Sequence, residues 1–471
     1  MFLHALPVQA LEMDFPEAWS LLQEKNHSLE AQRENVERYR QLEKSKDALN
    51  YPSVSIGANY TLLNDDATLS ANDLLNSLDN TSKEAMQGLV NSLVSYDSAF
   101  AGIISGLSEL NPTSTVANQN MFNSSIRAIW PVFTGGRIRA AQHAAEAQTD
   151  EAKFRLEMEE QARFEDLGKF YFSVVLAREV LETRKSVEKG LMQHKAFAIK
   201  LEEQGQIAKV ERLQAEASLS KAIVDRKKAE KDLSIASTAL TLILNQQDTI
   251  VPKSALFTNP NLPPLDFFTS QTLETYPGLK ILDAKEKQAR SLLKAEQGSY
   301  YPEVFLYGGY NLYEDESLTS ELIPDWLLGV GLSFDLIDTK GRSKQVMAAR
   351  HSISQVFHVR SQAVQDLTLL VEKTYYEAEQ AIEEVEGLDA SIELARENLN
   401  LRRKSFSQGL STSLDVVDAE LYLAGVETQQ QVAKFNYLIA LNRLLAVSDN
   451  MKTFSQYEST SVQHANFEES L

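Results

Sequence analysis

The sequence contains no cysteine in 471 residues. Without a thiol there can be no disulfide framework, no zinc site with Cys ligands, no cysteine nucleophile and no lipid anchor attached through an N-terminal Cys. Basic residues are also scarce, because 46 Lys and Arg stand against 66 Asp and Glu, which gives a formal net charge of −20. A duplex-binding surface needs a basic stripe that displaces counterions, so nucleic acid is not an expected partner.

Long apolar runs and the motifs of enzyme chemistry are missing as well. No run approaches the ~18 apolar residues of a membrane-spanning helix, which argues against a helical membrane protein. The 7 His are scattered, there is no Gly-rich phosphate loop, and Gly135-Gly136 lack the spacing of a dinucleotide motif. We therefore expect no enzyme activity, no cofactor and no metal site.

The first ten residues end in Val8-Gln9-Ala10, a small-x-small pattern like that of a signal-peptidase site. They lack the basic start and the full apolar stretch of a complete signal peptide. We interpret residues 1–10 as the remnant of a leader, with a frayed terminus as the alternative.

The chain is a tandem duplication of one structural unit. Three dipeptides recur in the same order: Tyr51-Pro52 as Tyr301-Pro302, Gly136-Arg137 as Gly341-Arg342, and Gln204-Gly205 as Gln408-Gly409. The first copy holds about 45 extra residues between its Tyr-Pro and Gly-Arg pairs. They lie in a polar segment, 64–120, which we interpret as a long loop.

Both copies predict a helix, two strands, a very long helix, a Gly-marked turn and another helix. The intervals Gly136–Gly205 and Gly341–Gly409 contain no proline and correspond to ~100 Å of helix each. Their apolar residues recur at the 3-4 spacing of helices that pack side by side. The predicted boundaries are a leader remnant at 1–10, a first repeat at 11–247, an extended linker at 248–271, a second repeat at 272–447 and an unstructured tail at 448–471. Within the repeats we predict strands at about 52–63, 121–133, 302–314 and 325–337, and long helices at 137–203, 207–247, 342–407 and 411–447.

The four predicted strands alternate between apolar residues at even-numbered positions and small or polar residues at odd ones. Their ends are aromatic, with Tyr51, Trp130, Tyr301 and Trp326 among them. This pattern fits a lipid-facing band with aromatic girdles at the two membrane interfaces. The alternative is a four-stranded sheet packed on a helix with the aromatic residues in its core. We favour the membrane interpretation because the helices are too long and too narrow in their apolar stripe to cover a sheet.

Four strands cannot close a barrel, and open sheet edges are not tolerated in lipid, so several chains must contribute. Two chains would give eight strands with an interior filled by side chains, whereas three would give twelve and leave a lumen. A channel therefore requires at least a trimer.

Three motifs resemble the TolC family of bacterial outer membrane efflux proteins, over roughly residues 11–447. They are the two Tyr-Pro pairs, Trp130-Pro-Val-Phe-Thr-Gly-Gly-Arg137, and Gly409-Leu-Ser-Thr-Ser-Leu-Asp415-Val-Val-Asp418-Ala-Glu420. The resemblance implies an α+β membrane protein built as a tandem repeat of long helical hairpins with four β-strands per chain. Three chains would form a 12-stranded outer-membrane β-barrel continued by a 12-helix periplasmic α-barrel.

The resemblance also implies a function. Members are passive exit ducts of tripartite efflux or type I secretion systems in the outer membrane of Gram-negative bacteria, extending into the periplasm. The implied partners are the other chains of a homotrimer, a periplasmic adaptor (membrane fusion) protein, an inner-membrane pump of RND, ABC or MFS type, and outer-membrane lipid. A soluble periplasmic coiled-coil scaffold protein is the alternative, which explains the helices and the acidity but not the strands.

Gly205 and Gly409 would mark the two hairpin tips, where the family docks its adaptor and closes its periplasmic gate. Asp415 and Asp418 match, without a gap, two aspartates that project into the closed tip in the family. Three copies would form rings of carboxylates that attract cations at the constriction. The alternative is that Asp415 caps the start of a helix and Asp418 is an exposed charge.

The best-known member closes its tip with a tyrosine and an arginine bonded to a carboxylate. Here Phe406 and Ser411 stand at the first two positions, while Glu211 keeps the acid. Phe406 has no hydroxyl and Ser411 no cation, so the links of the family cannot form unchanged. We hypothesise that Lys209, two residues before Glu211, supplies part of the closing contact.

Overall fold

The computed structural model describes residues 11–96, 101–102, 105, 113–315, 324–337 and 339–468. The predicted leader remnant at 1–10 lies outside these residues. The chain divides into two units, one made of Met1–Glu43, Ala144–Arg290 and Arg350–Leu471, the other of Lys44–His143 and Ser291–Ala349. Each unit therefore takes residues from both copies of the repeat.

Helices make up most of the described chain, together with three small sheets. In chain order the strands and α-helices are β1 (Leu11–Met13), α1 (Phe15–Lys25), α2 (His27–Asp47), β2 (Ser53–Leu62), β3 (Ala67–Ser70), α3 (Ala71–Ser77), α4 (Asn80–Tyr96), β4 (Thr113–Ala117), β5 (Asn120–Phe133), α5 (Arg137–Glu203), α6 (Lys209–Ile243), β6 (Ile250–Pro252), α7 (Leu265–Thr275), α8 (Pro277–Gly298), β7 (Glu303–Glu314), β8 (Trp326–Ser333), α9 (Arg342–Ser407), α10 (Ser413–Val447) and α11 (Phe454–Glu468).

The four long helices, α5, α6, α9 and α10, form where proline is absent and the apolar spacing is 3-4. The predicted apolar stripe of α5 is buried at all five positions: Phe164, Leu167, Tyr171, Val174 and Leu181. The stripe of α9 is buried at most positions, including Val371, Ala378, Val385, Ile392 and Leu399. The prediction that these helices pack side by side is confirmed.

The first unit has its main core around the aromatic rings of Phe15, Phe164, Phe172 and Phe454, which contact one another. Strands β1 and β6 pair in parallel beside this core, and the Tyr171 hydroxyl donates to the Met13 carbonyl at 2.8 Å. A two-stranded parallel pair needs such external partners, because its own ladder is short. The core thus joins residues from both ends of the described chain.

The second unit contains an antiparallel four-stranded sheet in the order β2-β5-β7-β8. Even-numbered residues pair with even-numbered residues across the strands, as in Ile56 with Ile126 and Leu306 with Val330. Ile126 likewise pairs with Tyr310, although two irregularities interrupt the ladder between β5 and β7. The even-numbered apolar residues of all four strands therefore lie on one face of the sheet. A one-residue shift in register would have placed those of one strand on the opposite face.

Three predicted boundaries need correction. The segment 64–120 is more than a loop, because β3 and β4 pair within it and a capping box of Ser70 and Asp73 begins α3. The linker 248–271 contains β6, whose Ile250 is fully buried, and α7 begins inside it at Leu265. The tail 448–471 contains α11, because Phe454 is buried in the aromatic core.

Candidate functional site

The turns that follow α5 and α9 have the same backbone geometry. Gly205 and Gly409 have φ of 71° and 70°, a region that L-residues with a side chain rarely adopt. After each glycine the next N–H reaches back to the helix, from Gln206 to the Leu201 carbonyl at 2.8 Å and from Leu410 to the Ser405 carbonyl at 3.0 Å. These are two Schellman motifs, which end a helix and reverse the chain.

The helices beside these turns share a small apolar core. Phe406 is 2% exposed and packs with Ala198, Leu201, Ala215 and Val416. Sequence comparison with the family had placed Phe406 among the closure contacts. In this chain its ring instead joins α5, α6, α9 and α10, so its contacts are those of a core residue.

Asp415 caps the start of α10. Its carboxylate accepts hydrogen bonds from the Thr412 backbone N–H at 2.9 Å and the Thr412 hydroxyl at 2.7 Å, while the Thr412 side chain accepts from the Asp415 N–H, which completes a capping box. The Ser411 hydroxyl donates to the same carboxylate at 3.0 Å. The Thr412 hydrogen bonds, above all, hold the pKa of Asp415 below its usual value, so the carboxylate stays charged.

Asp418 lies one turn further along α10 and is exposed. Residues three apart lie on the same helical face, so Asp415 and Asp418 present their carboxylates on one side of α10. On this face, Asp415 forms an ion pair with Arg402 of α9 at 3.6 Å. The cap that the sequence left as an alternative is therefore present, and it coexists with a partly exposed acidic face.

Glu211 is the equivalent of Asp415 in the first repeat, but it does not cap its own helix. Its carboxylate accepts a hydrogen bond at 2.6 Å from the backbone N–H of Ser413, the first residue of α10. Lys209 has no ion pair with any residue that the structure describes, whereas Arg212 of the same helix pairs with Glu202 and Glu216. A closing role for Lys209 stays a prediction about contacts between chains.

An ion pair between a buried carboxylate of α10 and an exposed arginine of α9 lies close to Phe406. Glu420 is buried and pairs with Arg403, and both side chains lie against Gly190 of α5. A Cβ atom at Gly190 would lie 2.8 Å from the Arg403 guanidinium and closer still to the Glu420 carboxylate, so a larger residue there would displace these two side chains. Burial raises the pKa of Glu420, and the Arg403 charge opposes that effect.

His194 of α5 was not recognised from the sequence. It is 7% exposed, its Nε2 lies 2.6 Å from the Ser413 hydroxyl, and its ring centroid lies 4.6 Å from that of Phe406. Burial first, and then the Arg403 charge, lowers its pKa to about 4. A signal was present, because Val187, His194 and Leu201 recur every seven residues as in a helix-packing seam.

The apolar face of the four-stranded sheet is exposed in the chain, with Leu328 at 76% and Ile56 at 72%. The alternative of a sheet packed on a helix through this face is therefore wrong. Tyr51, Trp130 and Tyr301 lie at one end of the sheet, where the Trp130 indole donates to the Asn50 carbonyl at 2.8 Å. Trp326 lies at the opposite end, opposite Tyr310.

The other face of the sheet is mostly small and polar, but it also carries two aliphatic residues, Ile129 and Leu327, and two aromatic ones. Tyr307 lies against Gly329 and Phe305 against Gly331, each opposite its glycine in the ladder of β7 and β8. Arg127 stands on this face between Ser55 and Gly309 of the neighbouring strands. Among the described residues no carboxylate forms an ion pair with it.

Within the described part of the chain, no group of three or more His, Asp or Glu side chains is arranged to hold a metal ion. None of the described helices is both long enough and apolar enough to cross a membrane.

Comparison with known proteins gives one family match. A family model described as outer membrane efflux protein matches residues 18–246 and 268–448, which is most of the chain. No curated protein sequence is significantly similar.

Solved structures with the same fold extend over almost the whole chain. CusC is 15% identical with a TM-score of 0.72, and the match covers 93% of each chain. A membrane protein from Pseudomonas aeruginosa is 14% identical with a TM-score of 0.72, covering 94% of this chain and 91% of that one. The CmeC outer membrane channel of Campylobacter jejuni is 13% identical with a TM-score of 0.70, covering 94% and 89%. At these identities the matches show a shared fold.

Proposed function

The chain belongs to the outer membrane efflux protein family, and we propose that three copies of it form the passive exit duct of a tripartite efflux or type I secretion system. Family membership makes it an outer membrane channel protein that extends into the periplasm, and not an enzyme. The proposal adds the assembly with a periplasmic adaptor and an inner-membrane pump of RND, ABC or MFS type.

The exposed apolar face of the four-stranded sheet is the observation that carries the proposal. Its apolar residues form one continuous surface over β2, β5, β7 and β8, and β2 and β8 are the outer strands of the sheet. In lipid the free edges of these strands must pair, so β2 of one chain would join β8 of the next. Three chains then close twelve strands, with the face that carries Arg127 turned to the lumen.

The hairpin turns at Gly205 and Gly409 are the proposed docking sites for the adaptor. Leu410 is 77% exposed and follows the glycine of the second turn, so the turn offers an apolar contact. In the trimer, Asp415 and Asp418 would form rings of carboxylates that attract cations. Cation preference is thus the expected selectivity of the duct.

Purification and bilayer recording test the assembly. In detergent the protein should have the mass of a trimer, and in planar bilayers it should form cation-preferring channels. Recovery as a detergent-free soluble protein would support the coiled-coil scaffold instead, which the family match does not favour.

Crosslinking tests the adaptor. Because the sequence contains no Cys, a single introduced thiol is unique in the chain. Leu410→Cys should crosslink to a periplasmic adaptor in intact cells. Leu394→Cys, an exposed position within α9 before the turn, is the matched control. Equal labelling of the two positions would contradict docking at the turns.

A further inference from the structure

The start of α10 is held by two side chains from the other hairpin. Ser413 is fully buried, its hydroxyl lies 2.6 Å from His194 Nε2 of α5, and its backbone N–H donates to Glu211 of α6 at 2.6 Å. Free N–H groups at a helix start need acceptors, and here one acceptor comes from the opposite hairpin. The first residue of α10 is therefore fixed from both helices of the first hairpin.

Asp415 and Asp418 follow Ser413 within the next turn and a half. Their positions depend on where α10 begins and on how it is turned about its axis. A shift of Ser413 would move both carboxylates, since a helix moves as a rigid element over such a short distance. The contact between His194 and Ser413 therefore affects the positions of the Asp415 and Asp418 carboxylates, although it involves neither of them.

We propose that His194 is a positioning residue of the gate, which in its neutral form, together with Glu211, holds the start of α10 so that Asp415 and Asp418 narrow and charge the passage. The inference rests on the proposed function, because it assigns these carboxylates to the lumen of a trimer. Protonation of His194 is the event that releases the contact, since the imidazolium is a cation among buried groups.

The surroundings of His194 favour the neutral ring. Phe406 packs against it from α9, and Arg403 of α9 places a like charge nearby. Glu211 of α6 is engaged with the Ser413 N–H, and Glu420 of α10 is engaged with Arg403. On α5 itself, the adjacent Lys195 pairs with Glu216 of α6. The nearby carboxylates of Glu211, Glu216 and Glu420 thus already have partners. A protonated His194 would be a third cation beside Arg403 and Lys195, without a free carboxylate to pair with.

The sign of the pH dependence follows from the lowered pKa. His194 titrates near pH 4 in the folded tip against about 6.5 when free, so its contribution is complete above pH 6.5 and is lost as the pH falls towards 4. The pKa of Asp415 is held below its usual value, so Asp415 keeps more of its charge in this range than an ordinary aspartate would. Acidification should therefore loosen the start of α10 without fully discharging Asp415.

Two measurements on the purified trimer test the inference. Single-channel conductance should rise by about threefold or more between pH 7 and pH 4 in the wild-type protein, and backbone hydrogen exchange around residues 409–418 should accelerate over the same range. His194→Gln keeps a polar partner for Ser413 but cannot titrate, so both pH dependences should flatten. His194→Ala should behave at pH 7 as the wild-type protein does at pH 4.

Controls separate His194 from other titrating groups. His358→Gln changes an exposed histidine on α9 and should leave both pH profiles unchanged. Glu420→Gln removes a nearby carboxyl group whose pKa is raised by burial, and a conductance change that persists in that variant does not come from Glu420.

Unchanged pH profiles in His194→Gln would overturn the inference while leaving the channel intact. Absence of any conductance in the wild-type protein would instead contradict the proposed function. Hydrogen exchange still reports the Ser413 contact in that case, since it needs no ion flow.

Discussion

The two hairpin turns have the same backbone but use their equivalent acidic residues differently. Glu211 and Asp415 each lie six residues after the glycine of their turn. Asp415 caps its own helix together with Thr412, whereas Ala208, at the N-cap position of α6, supplies no side-chain cap. Glu211 is therefore free to bind the N–H of Ser413 in the other hairpin.

This difference shows how a duplicated unit acquires an internal contact. The Schellman geometry of the turns is kept, because it depends only on a glycine and on backbone groups. The first copy has no cap at the start of α6, so the Glu211 carboxylate has no partner in its own helix start. The second copy supplies the N–H of Ser413 as its donor. A second pair of equivalent acids differs in burial, since Glu216 is partly exposed with two basic partners and Glu420 is buried with one.

The largest expected effect concerns this second pair. Arg403→Ala leaves Glu420 buried without its partner and should destabilise the tip by about 3 kcal/mol. Arg212→Ala, the matched change in the first hairpin, leaves Glu216 in contact with water and Lys195 and should have little effect. Local opening energies from hydrogen exchange at neutral pH measure both. Equal losses would show that burial does not distinguish the two hairpins.

The glycines test what the hairpins share. Gly205→Ala and Gly409→Ala should each cost about 1 kcal/mol, because both residues have positive φ in the same motif. Gly425→Ala is the control, since this glycine lies inside α10 with open space around it and alanine should stabilise the helix by up to ~1 kcal/mol. Unequal costs at 205 and 409 in thermal unfolding would contradict the equivalence of the turns.

The caps test what the hairpins do not share. Thr412→Ala should cost about 1 kcal/mol, since it removes the capping hydroxyl of α10. Ala208→Thr should stabilise the start of α6 by about half as much, by supplying the missing cap. Chemical denaturation of both variants gives the comparison. A stabilisation by Ala208→Thr that abolished the Glu211 contact, seen as faster exchange at Ser413, would show that the two uses of the acid compete.

The smallest effect on stability is expected at Asp418. It is exposed and takes no part in the cap, so Asp418→Asn should leave the unfolding transition within about 0.5 kcal/mol of the wild type. The reversal potential of the variant channel in a salt gradient should nevertheless shift towards weaker cation preference, because a ring of charge is lost. Asp415→Asn should change both quantities. An unaltered reversal potential in both variants would remove these residues from the passage.

The parts of the fold that follow local rules could be predicted from the sequence. The long helices follow from apolar spacing and missing proline, and the shared face of the sheet follows from the even-numbered apolar positions. The tail could not be predicted, because Phe454 stands in a polar stretch and its contacts with Phe15 and Phe172 join residues far apart in the sequence. Tertiary packing overrides weak local preference there.

The roles assigned to the glycines and acids of the turns stay predictions, and the buried contacts beside them were not predicted from the sequence. Phe406 continues a spacing of seven with Val385, Ile392 and Leu399, which indicates burial and conflicts with a closure role inferred from family position. The contact between His194 and Ser413 joins residues more than two hundred positions apart, and no periodicity encodes such a pair. Predicting it requires the relative register of two hairpins.

The two aromatic rings that lie on glycines in the sheet have a consequence for the calibre of the proposed duct. A Cβ atom at Gly329 would come within 2.5 Å of the Tyr307 ring, so any larger residue there must lift the ring away from the sheet. Tyr307 and Phe305 would face the lumen of the proposed trimer, and the three-fold axis would repeat each displacement three times. Replacement of Gly329 or Gly331 by alanine would therefore change the width of the lumen by a small step without altering a strand.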